Sequence, residues 1–173
     1  NGAFLDNDDR LAAPPISSLR ELEHAAKQVE ESDGDDPEYL KWLYMLMSPG
    51  SSLGGARPKA SVVDEHGQLW IAKFPSTRDD YDVGGWEMLV NALAVNCGLR
   101  VATGMARRYA SDNHCFLVKR FDRTERGGRH HFASAMTLTN RTDGDDASTG
   151  ASYLELAEVL MEHGSEPNAD LRE

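Results

Sequence analysis

The chain of 173 residues is 40% hydrophobic and carries a formal net charge of −11, a composition typical of one ordinary core or a pair of small lobes. The negative charge argues against broad, nonspecific binding to nucleic acid, because such binding needs a basic surface. Its apolar runs are far shorter than the roughly 20 residues of a membrane span, and the N-terminus lacks the pattern of a signal peptide. We therefore expect a cytoplasmic protein without a membrane partner.

The candidate metal and disulfide residues favour no such site. Cys97 and Cys115 are the two cysteines of the chain, and their spacing fits neither a zinc site nor a disulfide framework, so we expect two buried free thiols in a reducing compartment. The adjacent His130 and His131 would face opposite sides of a strand. The acidic segment TDGDD at 142–146 lacks the glutamate and flanking helices of an EF-hand and is predicted to be a solvated loop.

Apolar periodicity predicts helices in the first half of the chain. Ser18 and Glu21 have the spacing of a capping box, and the apolar pattern that follows predicts a helix over 19–31. Pro37 suits the first position of a second helix. The residues expected on the apolar side of this second helix are Leu40, Leu43, Tyr44 and Met47.

A β-hairpin and a third helix are predicted next. Segments 60–63 and 69–74 flank the turn 64–67, as the strands of a hairpin do. Residues 81–97 show apolar steps of three and four and end at Gly98, which predicts an amphipathic helix. Its apolar stripe consists of Val83, Trp86, Val90, Leu93 and Cys97.

The second half of the chain predicts further strands and a last helix. Segments 105–109 and 115–121 are expected to be strands, with a short strand around 131–132. A polar loop over 139–150 precedes a helix over 153–161. This order of elements indicates an α+β fold in which helices flank an antiparallel sheet.

The segment 48–61, SPGSSLGGARPKAS, has the composition of an anion-binding loop. It is not a Walker A loop, because Ala56 stands where that motif requires lysine, and the G-x-G-x-x-G pattern is absent. Consecutive glycines nevertheless allow backbone N–H groups to converge on an anion. A phosphate is the obvious candidate ligand.

The order of the motifs around this segment is that of a protein kinase. The glycine-rich run opens the hairpin, Lys73 lies in the second strand, and Glu87 follows on a helix; kinases use such a lysine on the phosphates and such a glutamate to hold it. A lysine in an apolar strand needs a charged partner when buried, or its amine reaches water. Glu87 is the predicted partner of Lys73.

The stretches SSLGGARPKA, LWIAKFPS, DVGGWE and FLVKRFDR, the last followed by RHHFASAMTL, resemble the HipA-type serine/threonine kinases, the toxins of bacterial toxin–antitoxin modules. The resemblance runs over about 14–171 and implies the N-terminal lobe of an ATP-dependent protein kinase. It identifies Gly54, Gly55, Ala56, Arg57, Pro58 and Lys59 with the ATP loop, Lys73 with the nucleotide-contacting lysine, and Lys119, Arg120 and Phe121 with the hinge beside the adenine. Without the resemblance, segment 119–123 would be interpreted as an edge-strand charge pattern.

The same resemblance implies a domain organisation and a regulatory site. Residues 1–13 correspond to the end of a truncated N-terminal subdomain, and 14–173 to the lobe that covers the nucleotide and the start of the connection to a C-terminal lobe. That further lobe is expected to hold the catalytic aspartate and the Mg²⁺ ligands, so we expect the chain alone to be inactive. Ser52 corresponds to the serine that the family phosphorylates on itself to switch off.

Two alternatives to a kinase with a protein substrate stay open. One is a catalytically inactive, kinase-like module that binds a DNA-binding antitoxin. The other is a small-molecule phosphotransferase that shares the kinase fold. The sequence does not name the phosphoacceptor.

Overall fold

The computed structural model of the protein describes residues 13–32, 39–46, 57–124 and 128–172. The chain divides into two compact units, Asn1–His130 and His131–Glu173. In chain order the main elements of the first unit are α1 (Leu19–Glu31), α2 (Tyr39–Leu46), β1 (Lys59–Val63), β2 (Leu69–Lys73), α3 (Val83–Asn96), β3 (Gly104–Arg107) and β4 (Cys115–Lys119).

The four strands found in the described residues form one antiparallel sheet in the order β1-β2-β4-β3, which confirms the predicted α+β class. The register places Lys59 opposite Lys73, and Lys73 opposite Phe116. Because side chains alternate along a strand, these three residues share one surface of the sheet, called here the lysine face. Ala60 and Ala72 belong to the other surface, the core face.

The core face packs against the first two helices. A single apolar cluster joins α1, the end of α2 and three strands, and its burial is the main stabilising contribution in this unit. Its members are Leu19, Leu22, Ala25, Ala26, Leu46, Ala60, Val62, Trp70, Ala72, Phe74, Cys115 and Leu117.

Helix α1 has the predicted bounds, but its predicted capping box is wrong. Ser18 is the N-cap, yet its side chain makes no capping hydrogen bond. The reason is local: Ser18 ends a short 3₁₀ helix, Ile16–Ser18, and its ψ of 5° differs from the extended conformation that a capping side chain needs.

The apolar side predicted for α2 is also wrong. Leu40 and Tyr44 are 59% and 69% exposed, whereas Leu46 belongs to the core. Trp42 packs against the same cluster, and its spacing of four from Leu46 defines a neighbouring stripe of the helix. Met47 and Pro37 lie outside the described residues.

Helix α3 forms as predicted, but its apolar stripe does not face the sheet. Trp86, Val90 and Leu93 are each more than half exposed, while Gly84 is buried. At Gly84 the helix lies very close to the backbone of His114. The side of α3 that carries Gly84 therefore faces inward, and the apolar stripe faces outward.

The predicted hairpin is confirmed, and its turn is held by one carboxylate. Asp64 accepts hydrogen bonds from the backbone N–H groups of His66 and Gln68 and from the indole of Trp70 at 2.8–2.9 Å. Gly67 follows with φ of +75°, a conformation that favours glycine.

The predicted strand around 131–132 is not present among the described residues. Arg123 and Arg129 instead form an isolated bridge. His131 and Phe132 are exposed.

The second unit contains α4 (Ala135–Leu138), α5 (Tyr153–His163) and α6 (Pro167–Asp170). The predicted last helix is confirmed and runs two residues further. The predicted loop 139–150 contains a 3₁₀ turn, Ala147–Thr149, because Asp146 caps it. None of the helices in the described ranges is long and apolar enough to cross a membrane.

Candidate phosphate-binding site

Lys73 and Glu87 form an ion pair on the lysine face. Lys73 ends β2, Glu87 lies in the second turn of α3, and the distance from Nζ to Oε2 is 2.5 Å. The same ammonium lies 5.6 Å from the centre of the Phe116 ring, which adds a cation–π attraction. The partner predicted for Lys73 is therefore in contact with it, and the two side chains remain about 30% exposed to a ligand.

Lys59 lies beside Lys73 on the neighbouring strand. Like charges directly opposite each other on two strands repel. Burial lowers the pKa of Lys59, and the positive charges of Lys73 and Arg57 lower it further. An anion at this position would relieve the repulsion and favour the charged form of Lys59.

Arg57 is bound to a carboxylate. Its Nη1 donates to Oδ1 of Asp79 at 2.7 Å, and its Nη2 donates to the other carboxylate oxygen. The hydrogen bonds from Arg57 hold the pKa of Asp79 below its ordinary value, and those with Asp79 raise the pKa of Arg57. Both groups are therefore charged near neutral pH.

Helix α3 is positioned at its N-terminus by Asp82. The carboxylate caps the helix by accepting from Gly85 N–H at 3.0 Å, and it also accepts from His114 N–H at 2.8 Å and contacts the His114 ring. Burial acts to raise the pKa of Asp82, but the hydrogen bonds from His114 and Gly85 outweigh it and lower that pKa.

Gly84 permits the close approach of α3 to the segment before β4. A Cβ at this position would lie 2.0 Å from the backbone oxygen of His114, a distance no side chain tolerates. Asp82 and Gly84 were not singled out from the sequence, although an aspartate immediately before the first apolar residue of a periodic segment, as Asp82 stands before Val83, is a recognisable N-cap pattern.

The predicted hinge residues lie at the end of β4 and directly after it. A buried cluster of charged side chains begins there. The guanidinium of Arg120 donates to both oxygens of Asp122 at 2.7–2.8 Å, and Arg123 contacts the same carboxylate. Lys119 is half-buried, and Phe121 is 67% exposed. Sequence reasoning missed Asp122, which lies between two arginines and is 6% exposed.

An apolar cleft adjoins the Lys73–Glu87 pair. It has a volume of about 410 Å³, and its walls include Tyr81, Trp86, Val90 and Phe116, with Glu87 at the same cleft. The outward-facing stripe of α3 thus contributes one wall of a concave surface.

Other predicted site residues are placed as follows. The carbonyl of Pro58 accepts from Phe74 N–H at 3.0 Å, which ties the approach to β1 to the end of β2. Ser52, Gly54, Gly55 and Ala56 lie outside the described residues. His130 and His131 are exposed, and the described ranges contain no group of three or more side chains that could hold a metal ion.

The part of the chain that holds these residues also matches a known protein family. A family model described as HipA-like C-terminal domain matches residues 51–173. The chain belongs to this HipA-related family. The family is associated with kinase activity and with toxin–antitoxin modules, and the matched range includes Lys59, Lys73 and Glu87. No curated protein and no solved structure matches the chain.

Proposed function

We propose that the chain is the nucleotide-covering part of an ATP-dependent protein serine/threonine kinase of the HipA type. The ion pair between Lys73 and Glu87 carries the proposal. It joins a strand lysine to a helix glutamate at 2.5 Å, next to a second lysine on the adjacent strand. In protein kinases such a pair presents the lysine to the α and β phosphates of ATP.

Electrostatics supports a polyphosphate ligand. The ammonium groups of Lys59 and Lys73 belong to facing residues of two strands, an arrangement that costs free energy in an apoprotein. A polyphosphate spans several ångströms and carries several negative charges, so it can contact both lysines at once. Arg57 and Pro58 lead directly into Lys59, the first residue of β1.

The proposal assigns separate tasks to the two lysines and the glutamate. Lys73 binds the phosphates and neutralises charge that develops during phosphoryl transfer. Glu87 orients the Lys73 amine, and Lys59 supplies a second phosphate contact. Lys119, Arg120 and Phe121 form the segment beside the adenine, as the family resemblance implies.

The groups that complete the reaction belong to the proposed C-terminal lobe. They are the aspartate that accepts the proton of the substrate hydroxyl and the ligands of Mg²⁺. Mg²⁺, when bound with ATP, neutralises charge on its phosphates. The chain described above supplies binding and orientation at the opposite side of the nucleotide.

The test uses the complete gene product with radiolabelled Mg-ATP and a cell lysate as the source of acceptors. Lys73→Ala is expected to reduce transfer to protein by more than about tenfold, a loss above roughly 1.4 kcal/mol in the transition state. The matched control is Lys27→Ala, since Lys27 is a 58% exposed lysine of α1. Transfer that survives in Lys73→Ala at the control level would remove the proposed role.

The same experiment separates the alternatives. Label found in small molecules and absent from proteins would indicate a small-molecule phosphotransferase. A complete protein that transfers no label but binds a DNA-binding partner would be an inactive module. Neither result is expected.

Self-inhibition through Ser52 is a further part of the proposal. A phosphoserine adds a charge of about −1.5 to −2 near the proposed position of the ATP phosphates, and the repulsion would oppose nucleotide binding. Mass spectrometry after incubation with Mg-ATP should find phosphate on Ser52, and Ser52→Ala should abolish the loss of activity. Phosphate on Ser51 or Ser48 instead would assign the switch elsewhere.

A further inference from the structure

We propose that Asp79 is a positioning residue of the phosphate site, and that Arg57 serves as its partner and does not itself bind phosphate. The inference rests on the proposed nucleotide-binding function. It assigns direct phosphate contact to Lys59 and Lys73, and it gives the Arg57–Asp79 pair the task of fixing the start of β1.

One edge of the Arg57 guanidinium is engaged by the carboxylate of Asp79. Two guanidinium nitrogens donate to the two oxygens of one carboxylate. The Asp79 side chain is 8% exposed and that of Arg57 is 24% exposed. A bidentate, largely buried pair is strong and directional, so a phosphate that approached the same edge of the guanidinium would have to displace the carboxylate.

Asp79 is itself held by a turn that is fixed to α1. It accepts from Ser76 N–H at 2.9 Å. The Ser76 hydroxyl and Thr77 N–H both donate to the carboxylate of Glu30 at 2.8 Å, near the end of α1. This series of hydrogen bonds connects Arg57 to α1, which packs in the core.

The connection continues from Arg57 to the lysine face. Pro58 has a restricted φ, and its carbonyl accepts from Phe74 N–H at 3.0 Å. Lys59 follows at once and pairs in register with Lys73. A change at Asp79 would therefore shift Lys59 relative to Lys73 without removing any group that contacts phosphate.

The carboxylate of Asp79 also places a negative charge beside Arg57. The positive charge of Arg57 is among the interactions that disfavour protonated Lys59. With Asp79 present, its carboxylate offsets that positive charge close by. Without it, Arg57 would repel Lys59 more strongly and would compete for the same phosphate.

The experiment is a double-mutant cycle in the complete gene product. Arg57→Gln, Asp79→Asn and the double variant are compared with Asp80→Asn, which removes the same charge from the exposed neighbouring residue. Each single variant of the pair is expected to raise KM for ATP about tenfold with kcat changed less than about threefold. The double variant should be no worse than either single variant, because both remove the same interaction.

Further variants separate positioning from general damage. Asp79→Glu, which keeps the carboxylate, should recover part of the KM. Urea denaturation should give Asp79→Asn a lower unfolding midpoint than Asp80→Asn, because it breaks a largely buried pair, and should show that the variant is still folded under assay conditions. A roughly additive double variant, about a hundredfold in KM, would show that Arg57 contacts phosphate independently and would overturn the inference. So would an Asp79→Asn that equals Asp80→Asn in KM.

The outcome for the wild type separates this inference from the proposed function. A wild-type protein that binds no ATP in titration calorimetry removes both. A wild-type protein that binds ATP, with additive variants, removes only the role assigned to Asp79.

Discussion

Helices α1 and α3 lie on opposite faces of the same sheet and are held there by different forces. Helix α1 buries Leu19, Leu22, Ala25 and Ala26 against the core face. Helix α3 contacts the other side through the Lys73–Glu87 ion pair, the Asp82 cap and a glycine. Most of its large apolar residues, Trp86, Val90 and Leu93 among them, are exposed.

This fold thus assigns most of its stability and most of its site geometry to different helices. Apolar burial is nondirectional and roughly proportional to area, so the apolar side of α1 stabilises the sheet, and α1 reaches the site only through the directional hydrogen bonds of Glu30. Ion pairs, caps and a close backbone approach are directional, so α3 sets the distance between Glu87 and Lys73.

Truncation of α1 should have the largest effect on stability. Leu22 is 1% exposed, and Leu22→Ala should lower the free energy of unfolding by about 2–5 kcal/mol through lost burial and a cavity. Leu93→Ala, on the exposed stripe of α3, should change it by no more than about 0.5 kcal/mol. Urea denaturation measures both. Equal losses would mean that α3 packs through its apolar stripe, and the comparison would fail.

Gly84→Ala should have the next largest effect on stability. It should destabilise the protein, whereas a change from glycine to alanine within a helix usually stabilises it. Alanine in a helix interior is normally more favourable than glycine by about 1 kcal/mol, but here the new Cβ would meet the carbonyl of His114 at 2.0 Å. We expect a net loss of about 1–3 kcal/mol and a weaker Lys73–Glu87 contact. A stabilised variant in thermal denaturation would show that α3 does not approach the sheet so closely.

Parts of the fold that depend on local pattern could be predicted from the sequence. The periodicity of α1 predicted its bounds, and the polar turn at Asp64 predicted the hairpin. The Lys73–Glu87 contact followed from the order of a strand lysine and a helix glutamate. The helix bounds and the hairpin need only neighbouring residues and the period of one element, whereas the Lys73–Glu87 contact, across 14 positions, was predicted from the order of motifs in protein kinases.

Parts that depend on distant segments could not be predicted in this way. The pairing of Asp82 with His114 joins residues 32 positions apart, and the ion pair of Arg57 with Asp79 joins residues 22 positions apart. The stripe of Trp86, Val90 and Leu93 indicated the correct helix, but period alone does not say which side meets the sheet. Gly84 decides it, through a contact that only the tertiary structure contains.

Acid should weaken the attachment of α3 through Asp82. Its pKa is lowered in the folded protein, so its stabilising contribution is complete above the ordinary aspartate pKa of about 3.9 and is lost as the pH falls through the lowered value. At pH 7, Asp82→Ala should cost about 0.5–2 kcal/mol as a lost N-cap. At lower pH the difference from the wild type should shrink.

The measurement is urea denaturation of both proteins at pH 7 and near pH 3. Asp112→Ala is the control, since Asp112 is exposed in the turn before β4 and should cost less than about 0.5 kcal/mol. A difference between wild type and Asp82→Ala that stays the same at both pH values would contradict the role of the ionised carboxylate.

Labelling of the two thiols perturbs the protein least. Cys97 reports on the end of α3, and Cys115 reports on the core that α1 covers. Cys97 follows α3 and is exposed, which corrects the prediction that both thiols are buried, whereas Cys115 lies in the core. Burial raises the pKa of Cys115 to about 12. Since the thiolate is the reactive form, only about one Cys115 side chain in 10⁴ would be reactive at pH 8 even if reagent reached it.

Labelling of the native protein with a thiol-specific chromogenic disulfide should therefore modify about one thiol per chain, and urea should release the second. Cys97→Ser should remove the fast reaction. Leu22→Ala should accelerate labelling of Cys115, because it loosens the packing of α1 over the core face, and should leave the rate at Cys97 unchanged. If both thiols of the native protein reacted at one rate, or if Leu22→Ala accelerated both equally, the two sides of the sheet would open together and the separation between a stabilising and a positioning helix would not hold.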